Sequence, residues 1–114
     1  MARGRDGYVA ATDAEGNVVG CAEATRVNWY QWEIRHVSVA ETHAGQGYGE
    51  RLVRQAEEQA QSGGARVVQA TIRADNEASR RLFARLGYTR VGAFTNDESG
   101  NDVEVWQRPL SPAQ

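Results

Sequence analysis

Apolar and polar residues alternate along two stretches near the start of the chain, Tyr8–Thr12 and Val18–Val27. The segment between them, "DAEGN" (Asp13–Asn17), is rich in turn formers. A period of two on either side of such a turn predicts a β-hairpin. After a connection at Asn28–Gln31, a third strand is expected over Trp32–Val39. From about Gly47 to Gln61 the period lengthens. Leu52, Val53, Ala56 and Ala60 fall on one helical face, while Glu50, Arg54 and Glu58 are spaced for i,i+4 pairs on the solvent side. "SGG" (Ser62–Gly64) supplies C-cap chemistry. "RVVQATI" (Arg66–Ile72) reads as a buried strand. Asp75 or Asn76 then caps a second helix, Glu77–Leu86, with Ala78, Leu82, Phe83 and Leu86 inward and Gly87 as its stop. Two more strands, Tyr88–Thr95 and Val103–Arg108, flank the turn-rich "NDESGND", and "PLSPAQ" is expected to be a loose tail. The order is β-β-β-α-β-α-β-β. A strand–helix–strand centre requires a parallel pair, and the terminal hairpins require antiparallel neighbours. The expected fold is a single α/β (α+β) domain over residues 1–114: a mixed sheet of about six strands with two main helices.

Composition narrows the class without changing that picture. Of 114 residues, 40% are hydrophobic and 25% charged, as in ordinary globular domains. The net charge of −2 is spread evenly, so no basic field would draw in nucleic acid. One cysteine, Cys21, makes neither an internal disulfide nor a cysteine-rich metal site, and no metal is expected. No run approaches the ~20 apolar residues of a membrane span, and no apolar segment follows the charged "MARGRDG". A cytoplasmic protein is expected.

Chemistry enters at "HAGQGYGERL" (His43–Leu52), where Gly45, Gly47 and Gly49 stand between a strand and a helix. Helix N-termini offer unpaired N–H groups and a favourable dipole to anions, and glycines let a phosphate approach the backbone. The loop is therefore expected to hold a phosphate or pyrophosphate. It is not a Walker A loop, because Glu50 stands where lysine is needed. It is not a dinucleotide fingerprint either, because Glu50 also occupies the third glycine's place. The stretch "VSVAETHAGQGYGERLV" instead resembles the acyl-CoA-binding motif of the GNAT superfamily of N-acetyltransferases, Arg/Gln-x-x-Gly-x-Gly/Ala between a strand and a helix. Downstream, "NEASRRLFARLGY" (Asn76–Tyr88) resembles the family's second signature, with Asn76, Ser79, Leu82, Phe83, Gly87 and Tyr88 in place. The resemblance covers about Val18–Trp106.

That resemblance implies an acetyl-CoA-dependent N-acetyltransferase in which a primary amine attacks the thioester directly in a ternary complex. The alternative is a non-catalytic acyl-CoA-binding module. Coenzyme A would lie on Ala44, Gly45, Gln46, Gly47, Tyr48, Gly49 and Glu50, with its pyrophosphate on the amides of Gln46–Glu50. Its pantetheine arm would run along Val37, Ser38 and Val39 and meet Asn76, Ser79 and Phe83. The thioester would reach a gap where the Trp32–Val39 and Arg66–Ile72 strands splay. Glu33, eleven residues before Ala44, matches the spacing of a catalytic glutamate in the protein-lysine-acetylating branch and is the expected base; Glu23 and His36 are reserves. Two positions depart from the family. Ala44 replaces the usual Arg or Gln, and Phe83 stands where a tyrosine acid often sits, which leaves Tyr88 as a candidate donor. The chain is expected to be a short member, without the strand and helices that open full-size ones. Trp29, Tyr30 and Trp32 are then expected to line an acceptor site for a small-molecule or protein amine, opposite the "TNDESGN" loop, and a homodimer to replace the missing wall.

Overall fold

The structure, a computed structural model, describes residues 7–110. Its elements run β1 (Gly7–Thr12), β2 (Val18–Arg26), β3 (Gln31–Val39), α1 (Tyr48–Ser62), β4 (Val67–Arg73), α2 (Glu77–Arg85), β5 (Thr89–Thr95) and β6 (Asp102–Pro109), with a 3-10 turn at Glu41–His43. The six strands form one sheet in the order β1-β2-β3-β4-β6-β5. β3 and β4 are its parallel pair, and every other neighbour is antiparallel. This is the architecture expected from the alternation of patterns.

Both helices pack on one face of the sheet. Trp32, Ile34, Val68, Ala70 and Ile72 point into a core shared with Leu52, Val53, Ala56, Ala60, Phe83 and Leu86. Each helix ends in a left-handed glycine that satisfies its last carbonyls. Gly64 N–H donates to Gln61 O and Ala65 N–H to Ala60 O, and Gly87 and Tyr88 do the same to Ala84 and Phe83. Asn76 is the cap of α2, its Oδ1 accepting the Ser79 amide at 3.1 Å. The opposite face, which carries Glu33, Gln69, Thr71 and Gln107, is covered by no helix among the described residues.

Two local expectations are corrected. Arg54 does not sit between Glu50 and Glu58; its Nη1 reaches Glu57 at 2.9 Å. Glu57 is buried, and a buried carboxylate draws in cations that an exposed one leaves to water. The tail is tied at its start, because Leu110 N–H donates to Arg66 O at 2.8 Å. The rest of the expected tail, residues 111–114, and residues 1–6 lie outside the described residues. No helix among the described residues is long and apolar enough to cross a membrane.

Candidate functional site

β3 and β4 pair from Gln31 opposite Val67 as far as Ile34 opposite Ala70, and there the register ends. The cause lies on β3. Glu23 of β2 faces Arg35, but Cys21 faces Ser38, so three steps on β3 match two on β2. The extra residue makes a bulge, and His36 within it has φ 56°, the one positive φ of a residue other than glycine among those described. Such a backbone costs roughly 1–2 kcal/mol and persists where its surroundings enforce it. Beyond the bulge the strands part around a cleft of about 180 Å³. β3 contributes Ile34, His36 and Val37 to its walls, and β4 contributes residues 70–73. α2 closes it with Asn76, Ser79 and Phe83. Among the described residues no carboxylate lines it.

The glycine loop divides its work. Gly45 and Gly47 are left-handed, with φ of 77° and 86°, and nothing stands within 4 Å of where a Cβ would be at either. Their need is conformational, and the space in front of them is open. Gly47 is also the N-cap of α1. The Arg51 N–H reaches Gly47 O at 3.1 Å, so the amides of Tyr48, Gly49 and Glu50 have no acceptor within the helix. Gly49 serves packing instead. A Cβ there would lie 3.3 Å from Leu82 Cδ2, so its absence lets α1 approach α2. His43 packs edge-on against Tyr48, with centroids 5.7 Å apart, and shares a 2.9 Å hydrogen bond with Thr42. The Arg51 guanidinium lies over the same Tyr48 ring, 5.1 Å from its centroid.

Glu33 is 7% exposed on the helix-free face. Arg35 Nε donates to its Oε2 at 2.8 Å, Thr71 Oγ1 to the same oxygen at 3.3 Å, and Gln69 Nε2 to Oε1 at 3.2 Å. Of its three donors, Thr71 alone also lines the cleft. His36 is exposed, 3.7 Å from Glu23.

Several candidates stand elsewhere. Tyr88 is 4% exposed and donates to Glu57 Oε2 at 2.6 Å, a bond that anchors it to α1 and not to the cleft. Burial first, and then that bond, push its phenol well above its ordinary value, which opposes a role as proton donor to a thiolate. Trp32 is fully buried in the core and lines no surface. Trp29 and Tyr30 are exposed and stack edge to face at 5.1 Å, but they precede β3 at the far end of the sheet from the cleft. The "TNDESGN" loop is beside the end of β4, where Ala74 N–H donates to Asp102 O, so it does not face the two aromatics. Three aromatics in four positions suggest a surface, but period two sends Trp32 to the helix side. The polar network around Glu33 has no motif to announce it. Its one signal is Gln69 and Thr71, alternate polar residues in a run otherwise read as buried. Among the described residues no three His, Cys, Asp or Glu side chains gather as metal ligands.

Comparison with known proteins agrees with this geometry. The profile of the Acetyltransferase (GNAT) family matches residues 2–88. The chain is 33% identical over 88 residues to N-alpha-acetyltransferase RimI of Mycobacterium tuberculosis, across 75% of this chain and 53% of that protein. It is 36% identical over 112 residues to L-2,4-diaminobutyric acid acetyltransferase of Chromohalobacter salexigens, across 94% of this chain and 48% of the other. The chain thus spans about half the length of these two relatives. Among solved structures, the IAA acetyltransferase of Bacillus cereus superposes with a TM-score of 0.84 at 20% identity, covering 93% of this chain and 79% of its own. A GNAT family acetyltransferase of Elizabethkingia anophelis with acetyl-CoA bound gives 0.83 at 17% identity, covering 92% and 76%. At such identities the likeness speaks for the fold. Together with the family profile over most of its length, the glycine loop and parted strands make this chain a member of the GNAT acetyltransferase family.

Proposed function

We propose that the chain transfers the acetyl group of acetyl-CoA to a primary amine, by direct attack within a ternary complex. The GNAT family uses acetyl-CoA, and the residues here fit it. The open space before Gly45 and Gly47, the unpaired first-turn amides and the carboxylate-free cleft suit an anionic, polar arm. In this reading Ala44–Glu50 hold the pyrophosphate through their backbone. Val37, Ser38 and Val39 offer the free edge of β3 to the arm, and Asn76, Ser79 and Phe83 close the cleft around it. When bound, acetyl-CoA supplies the activated acetyl group.

The observation that carries the reading is the junction of cleft and carboxylate: the gap between β3 and β4 opens one residue beyond Glu33. Glu33 takes a proton from the acceptor ammonium, which gives nitrogen its lone pair. A backbone N–H of the bulged His36–Val39 stretch faces the developing oxyanion. Phe83 has no hydroxyl and Tyr88 is engaged by Glu57, so the departing thiolate takes the proton that the acceptor nitrogen sheds as the amide forms. The amine approaches from the helix-free face, not from Trp29 and Tyr30. The names of the two relatives, an Nα-acetyltransferase and a diaminobutyric acid acetyltransferase, support an amine acceptor. A cytoplasmic setting and a homodimer that walls the acceptor site at the margin of the helix-free face belong to the same reading.

The test is thiol release from acetyl-CoA with lysine peptides, free N-terminal peptides, amino acids, polyamines and aminoglycosides. We expect release with one class of amine. Glu33→Gln should retain coenzyme A binding by calorimetry and lose about a hundredfold or more of turnover near neutral pH. Equal turnover in wild type and variant would remove Glu33 from the role of base.

A further inference from the structure

Glu33 does not itself line the cleft, although it is the base in the reading above, on which this inference rests. The link between them is a single side chain. Thr71 sits in the cleft wall and its Oγ1 donates to Glu33 Oε2 at 3.3 Å. The rest of the carboxylate is held from behind. Gln107 Nε2 donates to Gln69 Oε1 at 2.8 Å, which leaves the Gln69 amide nitrogen to donate to Glu33 Oε1 at 3.2 Å. Arg35 Nε adds a 2.8 Å bond to Oε2. This chain of contacts crosses three adjacent strands, β3, β4 and β6, in register: Glu33 is opposite Gln69, and Gln69 opposite Gln107.

We infer that the Thr71 hydroxyl carries the acceptor's proton to Glu33, and that Gln69, Gln107 and Arg35 are positioning residues that keep the carboxylate turned towards Thr71. The ammonium N–H gives its proton to Thr71 Oγ1 as Thr71 gives its own to Glu33 Oε2. The products of this step are a neutral amine and a protonated Glu33, with Thr71 unchanged. The amine nitrogen then bonds to the thioester carbonyl carbon, the carbon–sulfur bond breaks, and the nitrogen's second proton goes to sulfur as the free thiol. Glu33 returns its proton to solvent. A hydroxyl suits this relay because it donates and accepts at once. Gln69 has one orientation open to it, since Gln107 occupies its carbonyl oxygen.

The groups facing Glu33 come from three strands. On its own strand is Arg35. β2 presents Thr25 opposite Glu33 and Glu23 opposite Arg35, and β4 presents uncharged Gln69 and Thr71, with Arg73 two residues on. The titrating group that sets the pH dependence is the amine: once it loses its proton at high pH, the relay is dispensable.

The experiment compares wild type, Thr71→Val, Thr71→Ser, Gln107→Leu and Glu33→Gln in thiol release from acetyl-CoA, with kcat and KM measured from pH 6.5 to 10. Valine keeps the shape of threonine without the hydroxyl. We expect Thr71→Val to lose about tenfold to a hundredfold in kcat near pH 7, with KM for acetyl-CoA unchanged. The deficit should shrink towards pH 10, as alkylamines reach their own pKa near about 10 and deprotonate without help. Thr71→Ser should restore the rate, and Gln107→Leu should lower kcat less than Thr71→Val with the same pH trend. A Thr71→Val enzyme with wild-type kcat and pH profile, beside an inactive Glu33→Gln, would overturn the relay and leave Glu33 as base. A pH-independent loss in Thr71→Val that serine does not restore would assign Thr71 a structural role and overturn the relay as well. Wild-type protein that binds coenzyme A yet releases no thiol with any amine would overturn the transfer reading and the relay together.

Discussion

Phe83 and Tyr88 meet edge to face with centroids 4.8 Å apart, and the two rings have separate roles. Phe83 is turned to the cleft, while the Tyr88 hydroxyl goes to Glu57, which also faces Arg54 at 2.9 Å and Arg108 at 3.5 Å. The phenol is part of a buried ion cluster that ties α1 to the sheet. Tyr88→Phe leaves Glu57 short of one donor and should cost about 1–2 kcal/mol in urea unfolding at pH 7. Acetyl-CoA affinity and turnover should be unchanged. The pH dependence has a definite sign. A phenol whose folded value is raised above the unfolded one contributes stability that is intact below about pH 10 and is lost as pH climbs beyond it. Unfolding curves of wild type and Tyr88→Phe should therefore stay apart at pH 8 and converge above pH 10. A large fall in turnover for the variant, at unchanged stability, would return Tyr88 to the chemistry.

At the scale of elements, the junction of β3 and α1 combines two departures from regular backbone: the bulge at His36 and the left-handed glycines at 45 and 47. The first stands where the strands part, and the second leads the chain into the first turn of α1, whose N-cap is Gly47. Gly47→Ala meets no atom, so its cost is the left-handed backbone alone, about 1–2 kcal/mol. Thermal melting should show that loss, and calorimetry should show weaker coenzyme A binding as the loop relaxes. Gly47→Asn should cost less, since asparagine tolerates that region better than alanine. Gly49→Ala acts by another route, pressing on Leu82 and spreading α1 from α2. If Gly47→Ala bound coenzyme A as tightly as wild type, the loop geometry would have no part in holding the anion.

At the scale of the molecule, ion clusters on the helix side join elements distant in sequence. Glu104 of β6 is gripped by Arg80 of α2 at 2.9 Å, Arg90 of β5 at 3.3 Å and the Trp106 indole at 3.1 Å. Burial works to raise its carboxyl, but Arg80, Trp106 and Arg90 outweigh it and hold it below the ordinary value. A lowered carboxyl contributes stability above its unfolded value, near about 4.3, and loses it as pH falls through the folded one. Urea midpoints should drop between pH 5 and pH 3, and drop less in Glu104→Gln. The helix-free face carries exposed Tyr8 and Phe94 at 67% and 48%, and its margin is the surface on which the proposed homodimer would form. Light scattering across micromolar concentrations should give twice the chain mass, and a monomer throughout would end that proposal.

The sequence by itself determined the element order, the parallel centre, both helix stops and the family's two motifs. Each of these is written in local periodicity, capping or backbone freedom, which neighbours in the chain dictate. The tertiary structure alone decided which side chains meet. It drew Arg54 to Glu57, took Trp32 into the core and Tyr88 to α1, and set Trp29 and Tyr30 at the far end of the sheet from the cleft. It also brought Glu33, Gln69, Thr71 and Gln107 together from three strands. Register between distant strands, and the one-residue bulge that shifts it, are set by packing across the whole sheet, so no stretch of the chain read alone carries them.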